Sequence, residues 1–203
     1  PRRGKADPIV GFPMPSRLFS PLRLRGTTFD NRIAVAPMCQ YSAVEGVPGR
    51  WHLMHLGTCA ISGAALVIIE ATGVEAEGRI TPDCTGLYND AQEAAFGEIL
   101  AFCRSVGPAK FGIQLSHAGR KGSTVKPWEG GGPVEGAGAW ETLAPSAVPY
   151  LEGWAAPQAL DEAGLHRIRD AFADAARRAA RLGLDYVELH AAHGYLLHQF
   201  LSP

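Results

Sequence analysis

Tyr186-Val187-Glu188-Leu189-His190-Ala191-Ala192-His193-Gly194-Tyr195 ends an apolar strand with two imidazoles and a phenol. Period-two alternation puts Tyr186, Glu188 and His190 on one face, and a three-residue turn brings His193 round beside His190. Polar donors gathered where a strand opens into a loop are what a barrel enzyme collects at its C-terminal mouth. The placement recurs upstream: Cys39 and Tyr41, Glu70 and Thr72, and Gln114 and His117 fall at or just beyond the C-terminal ends of predicted strands.

Outward from that stretch the chain alternates strand and helix. Residues 22–29 read as a short hairpin with Gly26 near its turn. Strands are predicted at 32–36, 64–70, 110–115 and 185–189, the second too apolar to have a wet face. Helices are predicted at 51–62, at 94–106 behind an Asp90/Glu93 capping box and before a Gly107-Pro108 stop, and at 162–182, ended by Gly183. A Gly- and Pro-rich loop of about 40 residues follows the third strand, longer than structural connections usually run.

This order implies a parallel sheet with right-handed crossovers, doubly wound or closed. No Gly-x-Gly-x-x-Gly follows the first strand, so the expected fold is α/β, a (β/α)8 TIM barrel of which the chain is the N-terminal half, strands 1–4, behind a short hairpin. Four units leave two sheet edges unpaired, so the sequence is expected to be the N-terminal part of a longer protein. Residues 1–17 read as a flexible lead and 18–203 as the barrel part.

The 203 residues carry a formal net charge of -1 and 46% hydrophobic residues, an ordinary globular composition with no charge excess toward nucleic acid. No run approaches the roughly 18 apolar residues of a membrane helix, and the basic first residues lack an apolar signal segment. The expected location is the cytoplasm. Cys39, Cys59, Cys84 and Cys103 form no C-x-x-C pair and read as reduced thiols.

Residues 31–42 (Asn-Arg-Ile-Ala-Val-Ala-Pro-Met-Cys-Gln-Tyr-Ser), 70–74 (Glu-Ala-Thr-Gly-Val), 114–121 (Gln-Leu-Ser-His-Ala-Gly-Arg-Lys) and 190–195 (His-Ala-Ala-His-Gly-Tyr) together resemble the Old Yellow Enzyme family. The Cys39/Tyr41 pair is similar to its thermophilic-like, xenobiotic reductase branch of ene-reductases. The resemblance implies FMN over the barrel mouth, with Ala36, Pro37, Met38 and Cys39 along the flavin, Ala71 beside it and Gln114 on the pyrimidine edge. It implies that His190 and His193 hold the substrate carbonyl, that Tyr195 supplies a proton, and that Tyr41, Ala191 and Ala192 line the substrate side. It also implies NADPH or NADH as hydride donor and a homo-oligomer, dimer or tetramer, at full length. The family takes a flavin-facing arginine and phosphate-binding backbone from later strands, which this sequence does not contain.

Reduction of an activated alkene needs negative charge absorbed on a carbonyl or nitro oxygen and a proton delivered to the α-carbon. Two imidazole N–H donors answer the first need as an oxyanion site. The competing reading of His190 and His193 is a metal site, which needs a third ligand and a supporting carboxylate; Glu188 shares the face of His190. Tyr195 holds its proton at neutral pH and suits a general acid, a part solvent can also play. Cys39 alone would read as a small buried hydrophobe, and beside a flavin its thiol tunes the potential. Gln114, among apolar residues, must find partners, on a flavin pyrimidine or on neighbouring backbone. Arg120 and Lys121 suit the anionic flavin or a nicotinamide phosphate, or are solvated loop charges; His52 and His55 read as packing or capping residues, and Trp128 and Trp140 belong to a lid or an oligomer contact.

The leading expectation is an FMN-dependent NAD(P)H oxidoreductase reducing activated C=C bonds of α,β-unsaturated carbonyl or nitro compounds by ping-pong hydride transfer, with no metal. The alternatives are a metal-dependent barrel hydrolase and a catalytically incomplete barrel fragment.

Overall fold

Four parallel strands take their places side by side in the order in which the chain makes them. In a computed structural model, which describes residues 16–202, a 3-10 turn at Arg17–Phe19 leads into the antiparallel hairpin β1 (Leu22–Leu24) and β2 (Thr27–Phe29). Then follow β3 (Ala34–Val35), α1 (Arg50–Ala60), β4 (Leu66–Gly73), α2 (Asp90–Val106) and β5 (Lys110–Ser116). After the long loop, with β6 (Leu143–Ala144) and β7 (Gln158–Ala159), come α3 (Glu162–Arg181), β8 (Tyr186–Leu189) and α4 (Leu196–Gln199). The lead expected at 1–17 lies outside the described residues except for its last two.

The sheet runs β3-β4-β5-β8, all parallel. A doubly wound sheet reverses its strand order at a switch point; this one does not, which is the order of a barrel wall. Helices α1, α2 and α3 cover the outer face. Val67, Ile69, Phe111, Ile113 and Leu115 point into that layer and meet Leu56, Phe96, Leu100, Cys103, Ala175 and Ala179 in one buried cluster. Each large side chain fully buried there contributes about 1.5–3 kcal/mol. A second cluster of Leu143, Ile168 and Leu196 ties the long loop and α4 to α3.

The register of β4 against β5 shifts between Ile69 and Ala71. Val67 and Ile69 pair with Phe111 and Ile113, residues of the helix-facing side, whereas Ala71 pairs with Gln114 and Gly73 with Ser116. An unbroken alternation sends Ala71 toward the helices; the bulge turns it to the inner face beside Gln114.

Three local expectations are corrected. The α2 capping box is Asn89/Gln92, one residue earlier than Asp90/Glu93: Asn89 Oδ1 accepts from Gln92 N at 2.9 Å and Gln92 Oε1 from Asn89 N at 3.2 Å. Gln92 is fixed there by its own amide, which donates to the Glu45 carbonyl at 3.1 Å, leaving Glu93 free for Arg178 and Arg181. The hairpin turn is Arg25-Gly26, as expected, with Arg25 at a left-handed φ of 51°. The first strand is only two residues long, and a one-turn helix, α4, follows β8 where none was expected.

No helix among the described residues is long and apolar enough to cross a membrane.

Candidate active site

β8 reaches the mouth as a continuation of the ladder, with His190 N donating to Leu115 O at 2.9 Å. Beyond it the chain turns sharply, with His193 at φ 56° and Gly194 at φ 74°. The turn brings His193 Nδ1 to 3.3 Å from His190 Nε2. His190 Nδ1 accepts from Ala192 N at 3.3 Å, which assigns the His190 proton to Nε2, the nitrogen facing His193. With that tautomer His190 Nε2 donates to His193 Nδ1, and an oxygen atom set between the two nitrogens receives both donors once the His193 proton moves to Nδ1. Burial, then the neighbouring His193 and the Lys121 charge, hold the His190 pKa below the ordinary histidine range, against a smaller opposing pull from Glu188.

Tyr195 stands edge-on to His190, with ring centroids 4.8 Å apart at 88°. Burial, with Cys39, Cys84 and Tyr150 adding to it, pushes its pKa up to about 12. The backbone around it is pinned on both sides. Tyr195 caps α4, Leu196 N donates to the His117 carbonyl at 2.9 Å, and Gly194 N donates to His198 Nδ1 at 2.7 Å. His117 is itself a strut: its Nδ1 accepts from Gly119 N at 3.0 Å and its Nε2 donates to Glu75 at 2.9 Å, while Glu75 also takes Arg167 of α3 at 2.7 Å.

The segment after β3 forms the other side. Ala36 and Met38 are exposed, while Pro37 and Cys39 are half-buried. The Cys39 thiol is pushed up to about 12 by burial, then by Cys84 and Glu70, and touches the Ala71 backbone and the Tyr41 hydroxyl. Tyr41, left-handed at φ 49°, packs edge-on against Trp128 of the long loop at 5.5 Å; its pKa is raised by burial, then by Cys39, Cys84 and Tyr195. Cys39, beyond one edge strand of the sheet, thus comes near Tyr195, beyond the other.

Behind Cys39 lies Glu70, 4% exposed, whose Oε2 accepts from Gln40 N at 2.9 Å and whose Oε1 lies 3.2 Å from His52 Nε2. The contact with His52 is an ion-pair distance with poor hydrogen-bond alignment, since His52 Nε2 finds no well-directed acceptor. His52 Nδ1 meanwhile caps α1 by accepting from Gly49 N at 3.0 Å. Between the two sides, Gln114 donates to Glu188 Oε1 at 2.5 Å, neither a backbone partner nor a free amide.

Of the residues expected at the site, His190, His193 and Tyr195 lie together, Ala71 and Gln114 are register partners, and Cys39 and Tyr41 touch. Ala191 and Ala192 are exposed on the turn. Lys121 has a role other than anion binding: Nζ donates to the His193 carbonyl at 2.8 Å and lies 5.1 Å from the Tyr195 ring and 5.0 Å from that of Tyr150. Sequence reasoning gave Glu70 and His117 only their strand-end positions and Glu188 only a supporting place in the metal reading, and it did not single out Glu75. Among the described residues no three His, Cys, Asp or Glu side chains are grouped to hold a metal ion, so the metal-hydrolase reading lacks its third ligand there.

The residues fit one flank of an FMN. Ala36 and Ala71 offer small side chains, the Cys39 thiol is held protonated, and the Gln114 amide, on the inner face, supplies both a donor and an acceptor.

A profile of the NADH:flavin oxidoreductase / NADH oxidase family matches residues 17–203. The chain is 46% identical over 193 residues to an NADH:flavin oxidoreductase of Gibberella zeae, covering 93% of this chain and 46% of that protein. It is 40% identical over 192 residues to an NADPH dehydrogenase of Geobacillus sp., covering 94% and 52%. Among solved structures it is similar to morphinone reductase, with a TM-score of 0.77 and 32% identity over 91% of this chain and 50% of that one. An Old Yellow Enzyme from Pichia sp. AKU4542 gives 0.79 and 25% identity over 92% and 48%. The chain thus spans about half the length of the proteins it matches, and over that half its fold is that of their barrels.

Proposed function

The chain belongs to the NADH:flavin oxidoreductase / NADH oxidase family, and from that membership we propose that the whole protein is an FMN-dependent NAD(P)H oxidoreductase, an ene-reductase acting on activated C=C bonds of α,β-unsaturated carbonyl or nitro compounds. The observation that carries the reading is the convergence of His190 Nε2 and His193 Nδ1, 3.3 Å apart, beside a phenol that keeps its proton. FMN, when bound, supplies the capacity to accept a hydride from NAD(P)H and pass it on to the alkene.

The chain's own residues do the rest. Ala36, Pro37, Met38, Cys39 and Ala71 border the flavin, and Gln114, steadied by Glu188, meets its pyrimidine edge. Tyr41, Ala191 and Ala192 line the substrate. His190 and His193 hold the carbonyl or nitro oxygen and take up the negative charge that grows on it; a preorganised donor in a dry site is worth on the order of 3 kcal/mol of barrier. His190 does so as a neutral imidazole, its proton on the nitrogen that faces the ligand. Tyr195, with a pKa near 12, keeps its hydroxyl proton until a carbanion takes it at the α-carbon. The protein is further proposed to act in the cytoplasm as a homo-oligomer, dimer or tetramer.

The test is the visible spectrum of the complete protein titrated with a para-substituted phenol, whose oxygen imitates the charge-bearing oxygen of the substrate. Flavin bands and a long-wavelength charge-transfer band are expected, with the phenol bound at least tenfold more weakly in His190→Ala and His193→Ala. A colourless protein, or phenol affinity unchanged in both variants, overturns the reading.

A further inference from the structure

Between the long loop and α4 lies a cleft of about 360 Å³ whose polar lining is Arg120, Ser146, Tyr150, His198, Gln199 and Ser202. None of its lining residues is acidic. Arg120 donates from Nη2 to Ser146 Oγ at 3.1 Å, and its Nε is buried with no partner. A partly desolvated guanidinium without a counter-charge is costly, and the partner its outward N–H groups suit best is a planar or tetrahedral oxyanion. His198 adds a donor. Its Nδ1 already accepts from Gly194 N at 2.7 Å, so its proton sits on Nε2. The Lys121 ammonium, 5.0 Å from the Tyr150 ring, adds positive charge at the rim.

Position narrows the choice of anion. Gly194 lines the cleft and directly follows His193, so the donors stand beside the oxygen grip without being part of it. A ligand that places a ring at the grip and carries phosphate further along the same molecule reaches both. On the reading of the protein as an NAD(P)H oxidoreductase, on which this rests, the molecule of that shape is the hydride donor. We infer that the Arg120 cleft binds a phosphate group of the nicotinamide dinucleotide, with Arg120 as the anchoring cation and Ser146 and His198 as supporting donors.

Two phosphates could be the one held, the pyrophosphate common to NADH and NADPH or the 2′-phosphate of NADPH alone, and the test separates them. The complete, FMN-loaded protein is compared with Arg120→Met for flavin reduction by NADPH, by NADH and by 1-benzyl-1,4-dihydronicotinamide, which has no phosphate. ADP and 2′,5′-ADP are titrated calorimetrically as probes of binding alone. Loss of a charged contact predicts a rise of about tenfold or more in the half-saturating NAD(P)H concentration. The phosphate-free donor and phenol should be unaffected.

A rise for both dinucleotides with weakened ADP assigns the pyrophosphate. A rise for NADPH with weakened 2′,5′-ADP alone assigns the 2′-phosphate. Unchanged values for both dinucleotides and both probes, or an equal loss with the phosphate-free donor, overturns the inference. Ser146→Ala, at an exposed loop hydroxyl, gives a second variant with a smaller shift in the same direction. Failure of the underlying reading looks different: the unsubstituted protein would then show no flavin to reduce with any of the three donors.

Discussion

Lys121 grips the turn that presents His193 and at the same time stands over the ring of Tyr195, with Nζ 2.8 Å from the His193 carbonyl and 5.1 Å from the Tyr195 centroid. One ammonium thus braces the left-handed residue of the turn and the proposed proton donor two positions later. The cation contributes by geometry, holding the carbonyl of a residue at a left-handed φ of 56°, and by charge, adding a small push to the burial and the His193 neighbour that lower the His190 pKa.

Lys121→Met is therefore expected to weaken phenol binding by about tenfold, the loss of one charged hydrogen bond. It should also raise the pKa of His190, because the lysine charge holds it down. Phenol titration and NMR of the His190 ring check the two effects separately; a pKa that stays put or falls shows that the charge has no influence there.

Since His190 is held below its unfolded pKa, the unfolded chain binds the proton more readily than the native one. Its contribution to stability is fully present above about pH 6.5 and fades as the pH falls below that value. Thermal melts of the complete protein should fall in Tm through the mildly acidic range, and His190→Gln should flatten that slope.

Tyr195→Phe removes the hydroxyl and leaves the edge-on packing against His190. Flavin reduction by NAD(P)H should be unchanged, while reoxidation by an enone slows by about a hundredfold, the lower end of general acid catalysis. Stopped-flow traces of the two half-reactions decide it, and an unimpaired reoxidation would return the proton delivery to solvent.

Glu93 joins α2 to α3 by accepting from Arg181 at 2.8 Å and from Arg178 at 2.6 Å, and these partners, Arg181 first, hold its carboxyl below the usual range. Its stabilising effect is present above the unfolded pKa and lost as the pH falls through the lower native value. Glu93→Gln should cost about 1 kcal/mol at neutral pH, the upper end for a solvent-facing pair, since here three charges form a network. Urea denaturation at pH 7 and pH 3 should show the variant and the parent differing only at the higher pH.

Much of the fold was legible because strand and helix write different periods: the helix-facing residues Val67, Ile69, Phe111, Ile113 and Leu115 are the apolar positions of two obvious strands. The residues that gather at the mouth were legible too, as polar side chains at strand ends. Contacts between distant segments were not. Glu75 meets His117 and Arg167, 42 and 92 positions away, and local sequence carries no sign of such pairings. The α2 cap was misread by one residue for the same reason, its Gln92 being chosen by a carbonyl at Glu45. Gln114 was expected to need a partner, and found one in Glu188 of the adjacent strand.

The shift at Glu70 has a consequence for how this wall can change. Before it, the odd-numbered residues of β4 belong to the packing layer; after it, odd-numbered Ala71 and Gly73 stand opposite Gln114 and Ser116 on the inner side. One additional residue thus inverts parity midway along a strand, so the half that fills the core and the half that forms the mouth can be altered independently. Deleting Glu70 would leave Val67 and Ile69 where they are and keep Ala71 opposite Gln114 in plain alternation, so what it would remove is the carboxylate behind Cys39, a loss that no hydrophobicity profile would register.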